Sequence, residues 1–364
     1  MKNKNWTWRL FFAGLVLLII GGIGFAFTFQ SGNMFENGEA YSKTFTLTND
    51  TVKNITVDTT HDSNILFKES QNGKNYVEVS GHYSNNEIKQ IKSTEVQNDG
   101  TTLNLEVKNK GSFFNVMKIY AYGKQNVTIY LNNDSALDEL TIHGNSADTL
   151  VSDGKVKNLA VSASSGEIQL ERMTSNGTKV TNESGDVRLT DHKGSTTVTS
   201  SSGEIETTRL KGNLTIESSS GDISTENISG EEIKLANNSG EIQANLLSAK
   251  QISFESNSGD IEGSRLDGKV HANNSSGTID LEDLMNDSSA KTSSGDIDLT
   301  FSQAPKTVDA TSNSGEVKIE LPSGTKAIYN VRSDSGSIKI PNNSKNASSE
   351  INAVTSSGDI KVSH

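Results

Sequence analysis

The 364-residue chain has no cysteine and only three prolines, Pro305, Pro322 and Pro341. Without cysteine there is no disulfide, thiolate nucleophile, iron–sulfur cluster or cysteine zinc site, so packing and hydrogen bonds alone must stabilise the fold. The scarcity of proline argues against a disordered proline-rich stalk, despite abundant serine, asparagine, threonine and glycine. Apolar residues make up only 32% of the chain, which argues against a thick globular core. The six histidines (His61, His82, His143, His192, His271 and His364) lie far apart and form no HExxH or HxH pair. They are read as surface residues, with no metal assigned to them. No P-loop, dinucleotide fingerprint or Gly-x-Ser-x-Gly elbow occurs.

What is present begins with one uncharged run, LFFAGLVLLIIGGIGFAFTF, at residues 10–29. Twenty such residues match a bilayer core of about 30 Å as a helix. The run is longer than the apolar region of a cleaved signal peptide and lacks a small-x-small site after it. A retained transmembrane helix is therefore expected. Lys2, Lys4 and Arg9 precede it, and Glu36 is the first acid after it. The positive-inside rule then places residues 1–9 in the cytoplasm and everything after the helix outside. Removing those three bases from the 33 Lys+Arg leaves 30 against 45 Asp+Glu, a formal charge of −15 for the outer portion. Nucleic acid is excluded as a partner by that charge, whereas cations and cationic peptides are attracted by it.

The outer portion repeats itself. Aligned on the glycine of Ser-Gly, eleven copies fall at Gly166, Gly185, Gly203, Gly221, Gly240, Gly259, Gly277, Gly295, Gly315, Gly336 and Gly358, in steps of 18 to 22 residues. The second residue after each glycine is isoleucine or valine every time, and the fifth before it is always apolar. Period-two alternation around these two columns makes each repeat two short strands and two corners. Asn, Ser or Thr stands three residues before the glycine in every copy but one, where Ala163 stands. Small polar side chains in register build hydrogen-bonded ladders at a bend, and glycine permits the bend. The corner is thus a structural joint, and a flattened two-sided coil and a three-sided one fit equally.

Segments such as NITVDTTHDSNILFKES (54–70), TLNLEVK (102–108) and NVTIYL (126–131) have the same rhythm with looser spacing. Residues 50–160 are therefore expected to form irregular first coils, and part of the region 36–160 to cap that end of the rod. No stretch outside the anchor sustains a helical period. At the other end SGDIKVSH stops within a strand, which predicts an open edge suited to end-to-end assembly.

The strongest chemical candidates are acids just after the glycine, joined in the middle of the rod by acids two positions further on. Glu204, Glu206, Asp222, Glu241, Asp260, Glu262, Asp280, Asp296 and Asp298 form this candidate cation-attracting stripe. Towards the C-terminus Lys318, Lys339 and Lys361 replace the second acid. Three readings compete: a solvated polar face, a calcium-stabilised rod, and attraction of cationic peptides or cell-wall components. A polysaccharide hydrolase with paired carboxylates is the remaining alternative, but the even steps between Gly166 and Gly295 leave no room for cleft-building loops.

The anchor, the ITVDTTHDSNI entry, the recurrent SSGDI corners and VKIELPSGTKAIYNVRSDSGSIKI (317–340) resemble the bacterial putative-adhesin β-solenoids of unknown function, which include LiaG-type membrane-anchored proteins. The resemblance covers roughly residues 50–364 and implies no reaction, no cofactor and no site residues. The expected protein is all-β: a single-stranded β-solenoid of 18–22 residues per coil preceded by one transmembrane helix. Its parts are the cytoplasmic residues 1–9, the helix 10–29, a linker and the start of the outer region 30–49, irregular coils 50–160 and regular coils 161–364. The expected role is a non-catalytic, adhesin-like or envelope-stress interaction module at the cell membrane. Its expected partners are the membrane and a wall component, cationic peptide or another envelope protein.

Overall fold

The computed structural model describes residues 38–47, 53–59, 62–94, 102–107, 125–132 and 137–364. The apolar run at 10–29 lies outside these residues, and no helix within them is long and apolar enough to cross a membrane. Among the described residues twenty-eight strands hydrogen-bond into one continuous sheet that winds as a β-solenoid. In its regular part each coil lies parallel on its predecessor, as Ile205 lies on Val187 and Ile223 on Ile205.

Both columns read from the sequence point inward. Ile168, Val187, Ile205, Ile223, Ile242, Ile261 and Ile279 are fully buried, as are Val180, Val198, Ile216, Leu235 and Phe254 in the facing column. A third column, not anticipated, stands seven residues after the glycine: Met173, His192, Leu210, Ile228, Leu247, Leu266 and Leu284, all buried. Each coil therefore has three sides, the second one short, as in the pairing of Leu210 and Lys211 with Ile228 and Ser229. The bend that creates this side is made by residues in the left-handed region that are not glycine. Arg172, Asp191, Arg209, Asn227, Leu246, Arg265 and Asp283 all have φ between 50° and 57°. His192 is 1% exposed, which corrects the expectation that all histidines lie at the surface.

The Ser-Gly corner needs glycine twice over. Its φ is positive at Gly166, Gly185, Gly203, Gly221 and Gly240, and a Cβ at Gly203 would overlap the carbonyl group of Gly185 in the coil before. The polar position three residues earlier donates across coils: Asn182 Nδ2 to Gly166 O at 3.0 Å, Asn237 Nδ2 to Gly221 O at 2.7 Å and Asn274 Nδ2 to Gly259 O at 2.8 Å. Partly buried main-chain carbonyls at the bend are thereby satisfied.

At both ends the order of coils in space departs from their order in the chain. The coil made of Asn54–Thr59 and Ser63–Glu69 is sandwiched between the coil of 102–107 with Gln125–Leu131 and the coil of Leu137–Gly144 with Thr149–Ser152. At the other end Ser349–Ser357 and Ile360–Ser363 insert between the coil of Thr307–Ser314 with Val317–Glu320 and the coil of Ala327–Ser335 with Ile338–Lys339. The strand Ile360–Ser363 is thus paired on both sides, so the expected open edge belongs instead to residues 327–340. Half of that edge is covered by the segment that follows: Ser344 N–H donates to Ala327 O at 3.0 Å, and Tyr329 N–H to Asn343 Oδ1 at 2.7 Å.

The opposite end carries the expected cap. Glu39–Thr46 and Tyr76–Tyr83 add as antiparallel strands. A helix, α1 (Asn85–Ser93), follows, although the sequence suggested none. Ser84 and Glu87 form a capping box at its start, and Ile88 and Ile91 are buried. Nine residues are too few to hold a helix alone, so this packing supplies its stability.

Candidate functional site

The acids after the glycine fall into two alternating sets once the coils are placed in space. The order is Asp148, Glu167, Asp186, Glu204, Asp222, Glu241, Asp260, Thr278, Asp296, Glu316, Asp359, Ser337. Each aspartate accepts the backbone N–H of the next coil's corner residue. The distances are 3.0 Å from Glu204 to Asp186, 2.9 Å from Glu241 to Asp222, 2.7 Å from Thr278 to Asp260, 2.7 Å from Glu316 to Asp296 and 2.8 Å from Ser337 to Asp359. Aspartate is the right length for this bond; glutamate at alternate positions is one methylene longer, and only Thr278 and Ser337 interrupt the carboxylates of successive coils, about 4.8 Å apart. Asp222, Asp260 and Asp296 are therefore clasps between coils. The N–H bond to Ser337 holds the Asp359 carboxyl below the usual range.

A second alternation lies on the left-handed bend, where Asp153, Arg172, Asp191 and Arg209 stack. Arg172 binds Asp153 through Nε and Nη2 at 2.6 and 2.9 Å, and Arg209 binds Asp191 in the same way at 2.7 and 2.9 Å. These pairs are about half exposed, so solvent screens them and each adds little to stability.

The acids three residues after the glycine do not form one stripe. Glu206 is separated from the rest by Ser224 and Gln243, and Arg188 binds it at 3.1 Å and also pairs with Glu167. Glu262, Asp280 and Asp298 do stand on consecutive coils in register. Beside Glu262 and Asp280 lies a shallow groove of about 540 Å³, lined also by Glu226, Asn245, Ser264 and Glu282. Small residues in the inward column, Thr225, Ala244 and Gly263, lie along the groove where Leu189 and Leu281 stand elsewhere. Burial, then the neighbouring Glu241 carboxylate, pushes Glu262 up; burial, then Asp298, pushes Asp280 up. Glu226 and Glu282 were missed in the sequence, although both stand five residues after their glycine.

Beyond Asp298 the same column turns basic, with Lys318, Lys361 and Lys339 in register. Lys318 Nζ lies 2.6 Å from Asp298 Oδ2, and this bond raises the lysine's pKa. Among the described residues no group of three or more His, Cys, Asp or Glu side chains is placed to hold a metal ion.

Comparison with known proteins adds the following. The chain matches the family model described as Toastrack DUF4097 over residues 52–265 and again over 193–363. Solved structures similar to it include a "putative adhesin" from Parabacteroides distasonis, at 16% identity and a TM-score of 0.40, covering 79% of this chain and 99% of that one. Another is a "putative adhesin" from Bacteroides fragilis, at 13% and 0.32, covering 90% and 98%. A third, a "putative lipid binding protein" from Parabacteroides distasonis, has 14% identity and a TM-score of 0.26, covering 90% and 98%. A search of curated proteins found no match. The two family matches together span the solenoid from its first coil to its last, and the chain belongs to the Toastrack family.

Proposed function

We propose that the chain is a non-catalytic binding scaffold, an adhesin-like rod held at the outer side of a cell membrane by residues 10–29. The observation that carries this reading is the commitment of the corner acids. Asp186, Asp222, Asp260 and Asp296, the carboxylates best repeated in the sequence, accept main-chain N–H groups of the next coil. A carboxylate held in this way stabilises a joint and is withdrawn from acid–base work. Glu262 and Asp280, with Glu226 and Glu282, line a shallow groove on a polar face, which suits broad, weak contact with a cationic wall component, peptide or envelope protein. The uncharged run with bases before it supports the anchor and its orientation.

The test is fractionation of cells producing the full-length chain, followed by external protease treatment and by retention on isolated envelope material. Recovery with the membrane, loss to external protease and salt-sensitive retention are expected. Recovery of the chain in the cytosol overturns the placement, and absence of retention overturns the scaffold reading.

A further inference from the structure

The outermost coil exposes residues that belong to the core. Ile338 occupies the inward position that Val317 and Ile360 occupy in the two coils beneath, and Ile340 follows two residues on, as Ile319 and Val362 do there. Those four are 0–4% exposed, whereas Ile338 is 45% and Ile340 37% exposed. Among the described residues the strand Ile338–Lys339 pairs on one side only, with Ile360–Ser363. The covering segment at 341–348 reaches Ala327 and Tyr329, which are 0% and 6% exposed, and leaves Ile338 and Ile340 bare.

Charge adds a second requirement. Lys318, Lys361 and Lys339 stack in register, and among the described residues only Lys318 of the three forms an ion pair, with Asp298. The rod itself shows which strand satisfies an apolar–lysine–apolar edge: Ile297-Asp298-Leu299 lies in register on Val317-Lys318-Ile319. The open edge Ile338-Lys339-Ile340 repeats that pattern. Like charges side by side on neighbouring strands are unfavourable and opposite ones favourable.

We propose that the edge at residues 338–340 is a docking site for an extended strand of another protein whose alternating residues read apolar–acidic–apolar. Such a strand would cover Ile338 and Ile340, place a carboxylate beside Lys339 and supply the missing main-chain partners. The inference rests on the reading of the rod as a scaffold and names where on it, and to what chemistry, it binds.

The test uses the full-length chain and a labelled peptide of residues 294–301, SGDIDLTF. Saturable binding in the micromolar to millimolar range is expected, roughly that of a short added strand. Lys339→Glu in the protein, or Asp298→Lys in the peptide, should each weaken binding about tenfold, and combining the two should restore it. Ile338→Asp, at an exposed position, should abolish binding without changing the melting temperature. No saturable binding up to about 1 mM, or binding indifferent to both protein variants, overturns the proposal. So does concentration-dependent dimerisation lost in Ile338→Asp without peptide binding, which would assign the edge to a second copy. Envelope retention unaffected by Ile338→Asp also overturns this inference while leaving the scaffold reading intact.

Discussion

The middle of the rod and its two ends are built from the same coil but joined by different rules. Between Gly166 and Gly295 every coil lies on the one 18 or 19 residues before it, so contacts are local and the core columns are unbroken. At the ends, Ile55 is flanked by Leu103 and Leu140, and Ile360 by Val317 and Ile338. A sequence period reports which residues play the same part in successive coils. It does not report which coil lies on which. An open solenoid end exposes a strand edge and core residues, and inserting the first and last coils moves that liability onto other segments, covered by Tyr76–Tyr83 along Gln125–Leu131 at one end and only in part by residues 341–348 at the other.

The largest effect that would break the middle is Gly221→Ala. The added Cβ meets the carbonyl group of Gly203 at a φ of 111°. Two coils must separate, and a loss above ~4 kcal/mol, or failure to fold, is expected in urea unfolding. At the end, the comparison sharpens within one column. Ile360→Ala removes a side chain 1% exposed and should cost about 3 kcal/mol, whereas Ile338→Ala, at 45%, should cost under about 1 kcal/mol by the same measurement. Equal losses would mean that residues 327–340 are covered.

The next effect depends on pH. Burial lowers the pKa of His192 to about 4, and its Nε2 lies 3.1 Å from Thr178 Oγ1. The unfolded chain takes up a proton near pH 6.5 and the folded one only near 4, so stability is lost as pH falls through that window. The contribution approaches ~3 kcal/mol by linkage. His192→Leu, continuing the column to Leu210, should flatten the unfolding free energy between pH 6.5 and 4 relative to the parent chain. The smallest effect separates the two acid sets. Asp222→Ala frees the N–H of Glu241 and should cost about 1 kcal/mol, while Glu204→Ala should cost little, as read by thermal unfolding.

The regular coils were legible because isoleucine or valine and a second apolar residue keep fixed offsets from each glycine, and strands impose that spacing. The third column stood at an equally fixed offset, seven residues on, yet was missed. The bend before it carries Arg172, Arg209, Leu246 and Arg265, side chains that rarely adopt a left-handed φ and so give no turn signal. Of the stripe's acids three residues after the glycine, only Glu262, Asp280 and Asp298 are contiguous, since Ser224 and Gln243 separate Glu206 from them. The difference in role between aspartate and glutamate at the corner was present in the letters. It became readable only once the N–H of the next coil was placed within reach of a short carboxylate. Helix α1 had a legible capping box at Ser84 and Glu87, but nine residues gave too little periodicity to read.

The insertion of coil 349–363 between two others also governs how the rod bears tension. A strand that leaves a stack from its outermost layer peels away one hydrogen bond at a time under a small force. Ile360–Ser363 is held by Val317–Glu320 on one flank and Ile338–Lys339 on the other. A pull along that strand therefore loads both ladders in shear, and the rod resists as a wedged layer resists sliding.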